Sequence, residues 1–597
     1  MVQHNEKPWL ISYPEDVQPE VDTTLFGSLV DMFEFSCEKF RERPALHCLG
    51  TTLTYEELDH KARCFAAYLQ CVLHVKAGDH VALMLPNIIQ YPVALYGILL
   101  TGAVAVNVNP MYTPRELVHQ LNDSEARIII VISNFAHTLQ KALVETKTIE
   151  HVVITSIGDE CSALKGYFIN WALKYIKRAV PRFNIPEAIT YKQVMREGEN
   201  YPYTRPIISP DDLVFLQYTG GTTGVAKGAM LTHRNMLANV EQAWGMYHSK
   251  LTEGEELVVT AIPLYHVFAL CINCLFTTRI GAASLLIPDA RNIKSFVNEL
   301  KKYDATIITG VNTLFNALIN NEEFCNLPLS KLKLTIGGGT SVQKGVENAW
   351  FTHTAMHILE GYGLTECSPL VAVCPYNVDG YTGTIGIPVP STEVLIRDEQ
   401  GRIITEVGVP GELLVKGPQV MRGYYGREVA TQKVFWGEYL RTGDVACWAN
   451  DKGYIRLVDR KKDLILVSGF NVYPSEIEDV IMLHPNVLEV AAIGVPSKHS
   501  GESVKVFIVR KNKALTEEMV KNMCRKHLTA YKVPKYIEFK DSLPKTNVGK
   551  IMRRTLREIE YRKLGLDPYS DRTEGESKAG ESSESQTVQN SDNSGDK

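Results

Sequence analysis

Eleven consecutive residues carry the strongest chemical signal in this chain: Tyr218, Thr219, Gly220, Gly221, Thr222, Thr223, Gly224, Val225, Ala226, Lys227 and Gly228. Four are glycines, three are threonines and one is a lysine. Glycine lets a backbone turn tightly and bring its N–H groups up to an anion. Threonine hydroxyls add donors, and a lysine adds a compact positive charge. The chemistry that needs such a set is the holding of phosphate. A strand-like apolar run at 213–216 precedes it, and Thr232 is placed to cap a helix with Met236, Val240, Trp244 and Tyr247 at near-helical spacing. Strand, loop and helix in that order predict phosphates at a helix N-terminus. The common nucleotide loop ends in Lys followed by Ser or Thr, whose hydroxyl ligates magnesium. Gly228 follows Lys227 here, so a kinase or GTPase of that type is disfavoured and the magnesium ligand has to come from elsewhere.

Further glycine- and acid-bearing runs follow in order. They are Ile-Gly-Gly-Gly at 336–339, Glu-Gly-Tyr-Gly-Leu-Thr-Glu at 360–366, Arg-Thr-Gly-Asp at 441–444, Asp-Arg-Lys-Lys-Asp at 459–463, and Pro-Lys-Thr-Asn-Val-Gly-Lys at 544–550. Each alone reads as a turn.

The elements that must position these runs are α/β in wording. Residues 25–210 alternate helical patterns (58–69, 113–121) with short apolar strands (80–84, 128–132, 151–155), which predicts parallel sheets covered by helices. The alternation resumes from 211 to about 390. From 391 to 460 the strands shorten and turns become dense, as in a small β-rich subdomain. A new unit begins near 461. Pro474 and a capping-box pattern at 475–478 announce its first helix. Strands at 488–495, 504–510 and 535–540 and helices at 516–528 and 551–563 complete a compact α+β domain, with Gly565 after the last helix. The predicted division is therefore a domain over 1–460, a smaller one over 461–565, and a tail over 566–597. That tail is too poor in apolar residues to offset its chain entropy, so disorder is expected.

At 597 residues the chain exceeds one core. Its formal net charge of -5 equals that of residues 567–597, which hold eight acids and three bases, so the rest is formally neutral and no nucleic-acid partner is expected. The N-terminus, Met-Val-Gln-His-Asn-Glu, has no basic-then-apolar signal, so a cytoplasmic protein with reduced thiols is expected. The Cys271–Cys274 pair sits in an apolar run and reads as core. The apolar stretch 91–108 is broken by Pro92, Gly97 and Gly102 and reads as a helix followed by a buried strand, not a membrane span. Residues 164–183 hold Lys165, Lys174, Lys177, Arg178 and Arg182 beside several aromatic residues, and no acid. A basic amphipathic helix there would suit an anionic lipid surface or pack on its own domain with a solvated basic face.

Taken together, in this order and spacing, the motifs resemble the acyl-adenylate-forming superfamily of acyl-CoA synthetases, adenylation domains and luciferases, from about residue 25 to 563. The wording at 263–270, 310–316 and 466–474 is similar to that of its bacterial long-chain-fatty-acid–CoA ligases. The resemblance implies a large domain of two parallel-sheet subdomains plus the β-rich one, and a small mobile C-terminal domain. It implies ATP-dependent joining of a long-chain fatty acid to coenzyme A through an acyl-adenylate, with AMP and pyrophosphate released. A medium-chain or other acid, or a carrier protein as acceptor, stays open.

By the same resemblance, 218–229, including Ala229, wraps the β- and γ-phosphates, with Lys227 as charge. Glu366 ligates Mg2+ and Thr365 meets the α-phosphate. Tyr362 stacks on adenine, Gly338 lets the base approach, and Asp444 and Arg460 take the ribose. Lys550 reaches the carboxylate and α-phosphate, and His266 lines the acyl entrance or packs. Lys462 is the hinge, and Gly469 lines the pantetheine channel. Peripheral contact with the inner face of the membrane is expected, and a homodimer stays open. One segment departs from the family wording: Trp436-Gly-Glu-Tyr-Leu-Arg441 stands where Gly-Trp-Leu-His is usual, so chain-length preference is not fixed by wording.

Overall fold

The computed structural model describes residues 7–219, 226–468, 470–497, 500–546 and 549–566. The loop residues Gly220, Gly221, Thr222, Thr223, Gly224 and Val225, Gly469, which was expected to line the pantetheine channel, and nearly all of the acidic tail lie outside them. The described chain falls into two compact units that divide after Leu457.

The first unit contains two large sheets and a smaller one. An eight-stranded sheet is parallel from Leu213–Thr219 through Val104–Asn107, His80–Met84, Ile128–Ile132 and His151–Thr155 to Ile189–Thr190. Every residue of Ile128–Ile132 is buried, as expected of a strand covered on both faces. The stretch at 91–108 folds as the wholly buried helix Gln90–Leu100 and the strand Val104–Asn107. A nine-stranded sheet carries Leu257–Thr260, Ile307–Gly310, Leu334–Gly338 and Ile358–Gly363 side by side and parallel. Glu393–Arg397, Gly411–Lys416 and Tyr439–Trp448 form the antiparallel core of the β-rich subdomain. Among the described residues no helix is long and apolar enough to cross a membrane. Cys271 and Cys274 are buried thiols within Ala269–Phe276, and burial pushes the Cys274 thiol up to about 12.

One expectation is corrected here. The glycine-rich loop does not run into a helix. A strand, Lys227–Thr232, intervenes and pairs antiparallel with Leu213–Thr219. The helix His233–Tyr247 begins only after it, with Thr232 as its N-cap in a reciprocal capping box with Asn235. The two strands that flank the glycine-rich run pair as far as Thr219 and Lys227.

His233 opens that helix and is 2% exposed. Its Nδ1 accepts the backbone N–H of Leu29 at 3.1 Å, tying on the helix Leu29–Lys39. Burial holds the imidazole down, to about 4. A histidine that resists protonation when folded stabilises the fold above its unfolded value of about 6.5, and that contribution drains away as pH falls from there towards about 4. Between about pH 7 and about pH 5 the native protein should lose about 2 kcal/mol more stability than a His233→Gln variant, read from paired urea midpoints.

The second unit is built on the long hairpin of Val487–Ser497 and Gly501–Arg510, with Tyr536–Lys540 added parallel to it. Helices Pro474–Met482, Glu517–His527 and Arg553–Lys563 cover this sheet, and Ile465, Ile477, Ile481, Val506 and Ile508 form part of its core. Pro474 starts its helix as expected, but the capping box at 475–478 does not form. Glu478 instead takes Arg553 through two nitrogens, at 2.9 and 2.5 Å, and the backbone N–H of Ala492 at 2.8 Å. A buried arginine makes that pairing stronger than a cap.

Candidate active site

Within the first unit the sheets bring together residues far apart in sequence. The hairpin stem fixes Thr219 opposite Lys227, Tyr218 opposite Gly228 and Gln217 opposite Ala229. Gly228 lies flat against the Tyr218 ring: a Cβ there would meet it at 3.1 Å. The Tyr218 hydroxyl donates to Asp123 Oδ2 at 2.8 Å, which anchors the start of the loop. At its end, His119 Nε2 donates to the carbonyl of Ala226 at 3.0 Å.

A third strand, Gly423–Tyr424, adds to the outer side of Lys227–Thr232. Its Tyr424 hydroxyl donates to Glu366 Oε1 at 2.7 Å. The Lys227 ammonium lies 5.1 Å from the centre of the same ring. The lysine after the glycine-rich run and the expected metal carboxylate therefore share one aromatic side chain. Glu366 and Thr365 lie in the 3-10 turn Thr365–Cys367 that follows Ile358–Gly363, and the Glu366 carbonyl is held by the N–H of Met421 at 2.8 Å.

Tyr362 and Asp444 also meet. Tyr362 OH donates to Asp444 Oδ2 at 2.7 Å, and both residues are buried. Burial, reinforced by the Asp444 charge, pushes the Tyr362 phenol well above its ordinary range. Asp444 sits in Tyr439–Trp448 just after Gly443, whose φ of 70° is the left-handed turn that glycine favours. Gly338 pairs with Gly361 in the neighbouring strand. A Cβ on Gly338 would come within 2.9 Å of Phe268, so the absence of a side chain there lets the Phe268 ring pack on this strand.

His266 is half-buried in the turn after Leu257–Thr260, its N–H bonded to the Pro263 carbonyl at 2.9 Å. A buried amide chain holds this turn. Gln217 Nε2 donates to the Tyr265 carbonyl at 2.6 Å, and Gln217 Oε1 accepts from Asn107 Nδ2 at 3.0 Å. Asn87 Nδ2 donates to the carbonyls of Thr260 and Ile262, each at 2.9 Å. The histidine turn is thereby fastened to the strand that precedes the glycine-rich run.

Of the departures at 436–441, Trp436, Gly437 and Glu438 are exposed, whereas Tyr439 and Arg441 bond to other strands of their own sheet. Tyr439 donates to Glu393 at 3.2 Å and Arg441 to Glu412 at 3.0 Å.

Arg460, Lys462 and Lys550 belong to the second unit. The Arg460 N–H donates to Asp459 Oδ1 at 2.7 Å, and Asp459 Oδ2 accepts the Ser475 N–H at 2.8 Å. Lys462 is exposed in the turn Lys461–Asp463. The Lys550 N–H donates to Thr546 Oγ1 at 3.1 Å, and its carbonyl accepts from the Thr546 N–H at 2.7 Å.

Residues 33–425 match the AMP-binding enzyme family, and residues 476–550 match the AMP-binding enzyme C-terminal domain. The chain belongs to the AMP-binding enzyme family. It is 55% identical, over 553 residues, to a long-chain-fatty-acid–CoA ligase of Escherichia coli O6:H1, covering 93% of this chain and 98% of that one. A long-chain-fatty-acid–CoA ligase of Haemophilus influenzae is 51% identical over 561 residues, with 94% and 99% covered. A crystal structure of an anthranilate CoA ligase with anthranoyl-AMP shares the fold at a TM-score of 0.79 and 24% identity, covering 91% of this chain and all of that one. The expected α/β architecture is thus that of this AMP-binding enzyme.

Sequence reasoning missed two parts of this AMP-binding enzyme's site. Tyr424 stands 58 residues from Glu366 and looks like one of several aromatic residues in a turn. The amide chain through Asn87, Asn107 and Gln217 consists of single polar residues in apolar runs. Their polarity inside such runs was the available signal, since buried amides need partners.

Proposed function

We propose that this AMP-binding enzyme joins long-chain fatty acids to coenzyme A in two steps, using ATP. The fatty carboxylate attacks the α-phosphorus of ATP and pyrophosphate leaves, which forms the acyl-adenylate. The CoA thiol then attacks the acyl carbonyl carbon and AMP leaves. The full-length likeness to bacterial long-chain-fatty-acid–CoA ligases carries this reading. Incubation with ATP, CoA and palmitate should yield palmitoyl-CoA, AMP and pyrophosphate; ADP as product, or no CoA-dependent thioester from any medium- or long-chain acid, sinks it.

In the first step several negative groups converge, so charge neutralisation and positioning dominate. Lys227, at the hairpin mouth, neutralises phosphate charge. Asp444 takes the ribose hydroxyls while its other partner, Tyr362, flanks the adenine. Lys550 bridges the carboxylate and the α-phosphate, Thr365 adds a donor, and Arg460 assists at the sugar. Lys462 is the pivot on which the small domain turns between steps. Magnesium, held by Glu366 and substrate phosphates, would supply further neutralisation. One carboxylate plus phosphate oxygens suits that ion, and Glu366 Oε2 accepts no hydrogen bond among the described residues.

The reading extends to a membrane surface as the source of substrate. The helix Ala163–Trp171, continued by one wide turn through Ala172–Ile176, is pinned along one face only. Gly166 packs on Gly158, and Asn170 Oδ1 accepts the Gly158 N–H at 2.8 Å. The other face bares Leu164, Tyr167, Phe168 and Trp171, which are 77, 65, 62 and 44% exposed, beside acid-free basic flanks. Helix ends there, since Arg178 turns left-handed at φ 50°, so residues 177–183 do not prolong it as the sequence suggested. Tyr167→Ser, Phe168→Ser and Trp171→Ser together should cut flotation with phosphatidylglycerol vesicles by about tenfold while ligation of a water-soluble short acid is kept. Unchanged flotation removes the membrane from the account.

A further inference from the structure

The expected reaction assigns no part to Tyr424, yet this side chain touches two of the charged groups in the phosphate site. We infer that Tyr424 is a positioning residue that sets Glu366 for magnesium and holds Lys227 for the phosphates, an inference that rests on the metal role proposed for Glu366.

Three observations carry it. Tyr424 is 9% exposed, so its hydroxyl has few partners to choose from, and it donates to Glu366 Oε1 at 2.7 Å. That bond fixes the carboxylate's rotamer and engages one oxygen, which leaves Oε2 to face a cation. The ring meanwhile offers its negative face to the Lys227 ammonium, 5.1 Å from the centroid. A lysine beside a loop of glycines has a long, flexible stem, and an aromatic face restricts where its charge rests.

The backbone of Tyr424 is itself held on both sides. Its strand pairs with Ala229 and Met230, its own N–H donates to Thr431 Oγ1 at 2.9 Å, and the Tyr425 N–H donates to the Gly228 carbonyl at 2.9 Å. The side chain is therefore delivered by the strand that borders the loop, and Lys227 and Glu366 move with a common support. A purely structural tyrosine would not need its hydroxyl on a carboxylate at the mouth of an anion-binding hairpin.

Tyr424→Phe keeps the ring and its packing and removes only the hydroxyl. Tyr424→Leu removes the ring face as well. Binding of Mn2+, followed by electron paramagnetic resonance with a non-hydrolysable ATP analogue, reads metal placement without turnover. Loss of one hydrogen bond to a charged group predicts about tenfold weaker Mn2+ binding in Tyr424→Phe, with KM for palmitate unchanged and the magnesium dependence of pyrophosphate release shifted upward. Tyr424→Leu should in addition raise KM for ATP by about fivefold, through Lys227.

Glu366→Gln serves as the reference. If it weakens Mn2+ and Tyr424→Phe does not, the role of Tyr424 is overturned and that of Glu366 stands. If Glu366→Gln leaves Mn2+ binding unchanged, the metal reading fails and takes the Tyr424 inference with it. A fall in the unfolding midpoint of Tyr424→Phe with unaltered Mn2+ affinity would mark a merely structural tyrosine.

Discussion

Lys550→Ala should abolish acyl-adenylate formation and leave the second step nearly untouched. Lys550 lies in a turn held by its own backbone bonds. Its N–H and carbonyl are both bonded to Thr546, and Lys545 pairs with Ile551 across the turn. The following helix is locked by Arg553, which meets Glu478 at 2.5 Å and Asp463 at 3.6 Å. Truncation removes one charge and leaves these backbone bonds and the Arg553 lock in place. Loss of a positioned donor to a developing anionic centre costs about a hundred- to thousandfold in rate. ATP–pyrophosphate exchange should fall by that factor, while thioester formation from supplied palmitoyl-AMP should stay within about twofold of the native rate. Equal loss of both steps would remove Lys550 from its role, because a side chain used in one transition state cannot affect the other to the same extent.

The contrast between the two steps matters because the expected site residues are divided between the two units, most of them in the first. Lys227, Tyr362 and Asp444 sit on strands of the first unit, and Glu366 in the turn after one of them. Arg460, Lys462 and Lys550 sit in the second. A sequence shows such residues as short, well-spaced motifs, and those motifs were legible. The strands His80–Met84, Ile128–Ile132 and His151–Thr155 were legible too, since short β-branched runs between helical patterns have few other ways to bury themselves.

What stayed hidden depends on partners distant in the chain. Lys227–Thr232 reads Lys-Gly-Ala-Met-Leu-Thr, with no β-branched residue before its end, and nothing local marks it as a strand. It becomes one because Leu213–Thr219 and Gly423–Tyr424 border it on either side. The helix starts at Thr232, where the sequence placed it, but this strand stands between the helix and the glycine-rich run. The pattern at 475–478 failed for the same kind of reason. Arg553, 75 residues later, claims Glu478, and a local capping rule cannot foresee a buried guanidinium. Tyr424 belongs to this class as well: its meaning is a distance to Glu366, and distance is what sequence alone withholds.

Lys462→Pro should produce the reverse of the Lys550 phenotype. Arg460 is extended, at φ −89° and ψ 133°, and the turn Lys461–Asp463 follows at once, so backbone direction changes within one residue. Asp459 is fixed from behind by the N–H groups of Arg460 and Ser475 and by burial, which raises its carboxyl above the ordinary range against the pull of Arg553. On the proposed two-step reading, a rotation of the small domain is taken up by the few residues after this anchor, and exposed Lys462 is the one that the resemblance implies as the pivot. Proline there fixes φ near −65° and also biases Lys461 away from the helical region it occupies. The penalty for backbone states that proline forbids is about 3 kcal/mol, or about a hundredfold in rate, if the second step needs such a state. Thioester formation from supplied palmitoyl-AMP should fall by that factor while pyrophosphate exchange persists. A second step that runs at the native rate would place the pivot elsewhere, and loss of both steps together would mean that the proline had unsettled the Asp459 anchor, which a lowered unfolding midpoint would register independently.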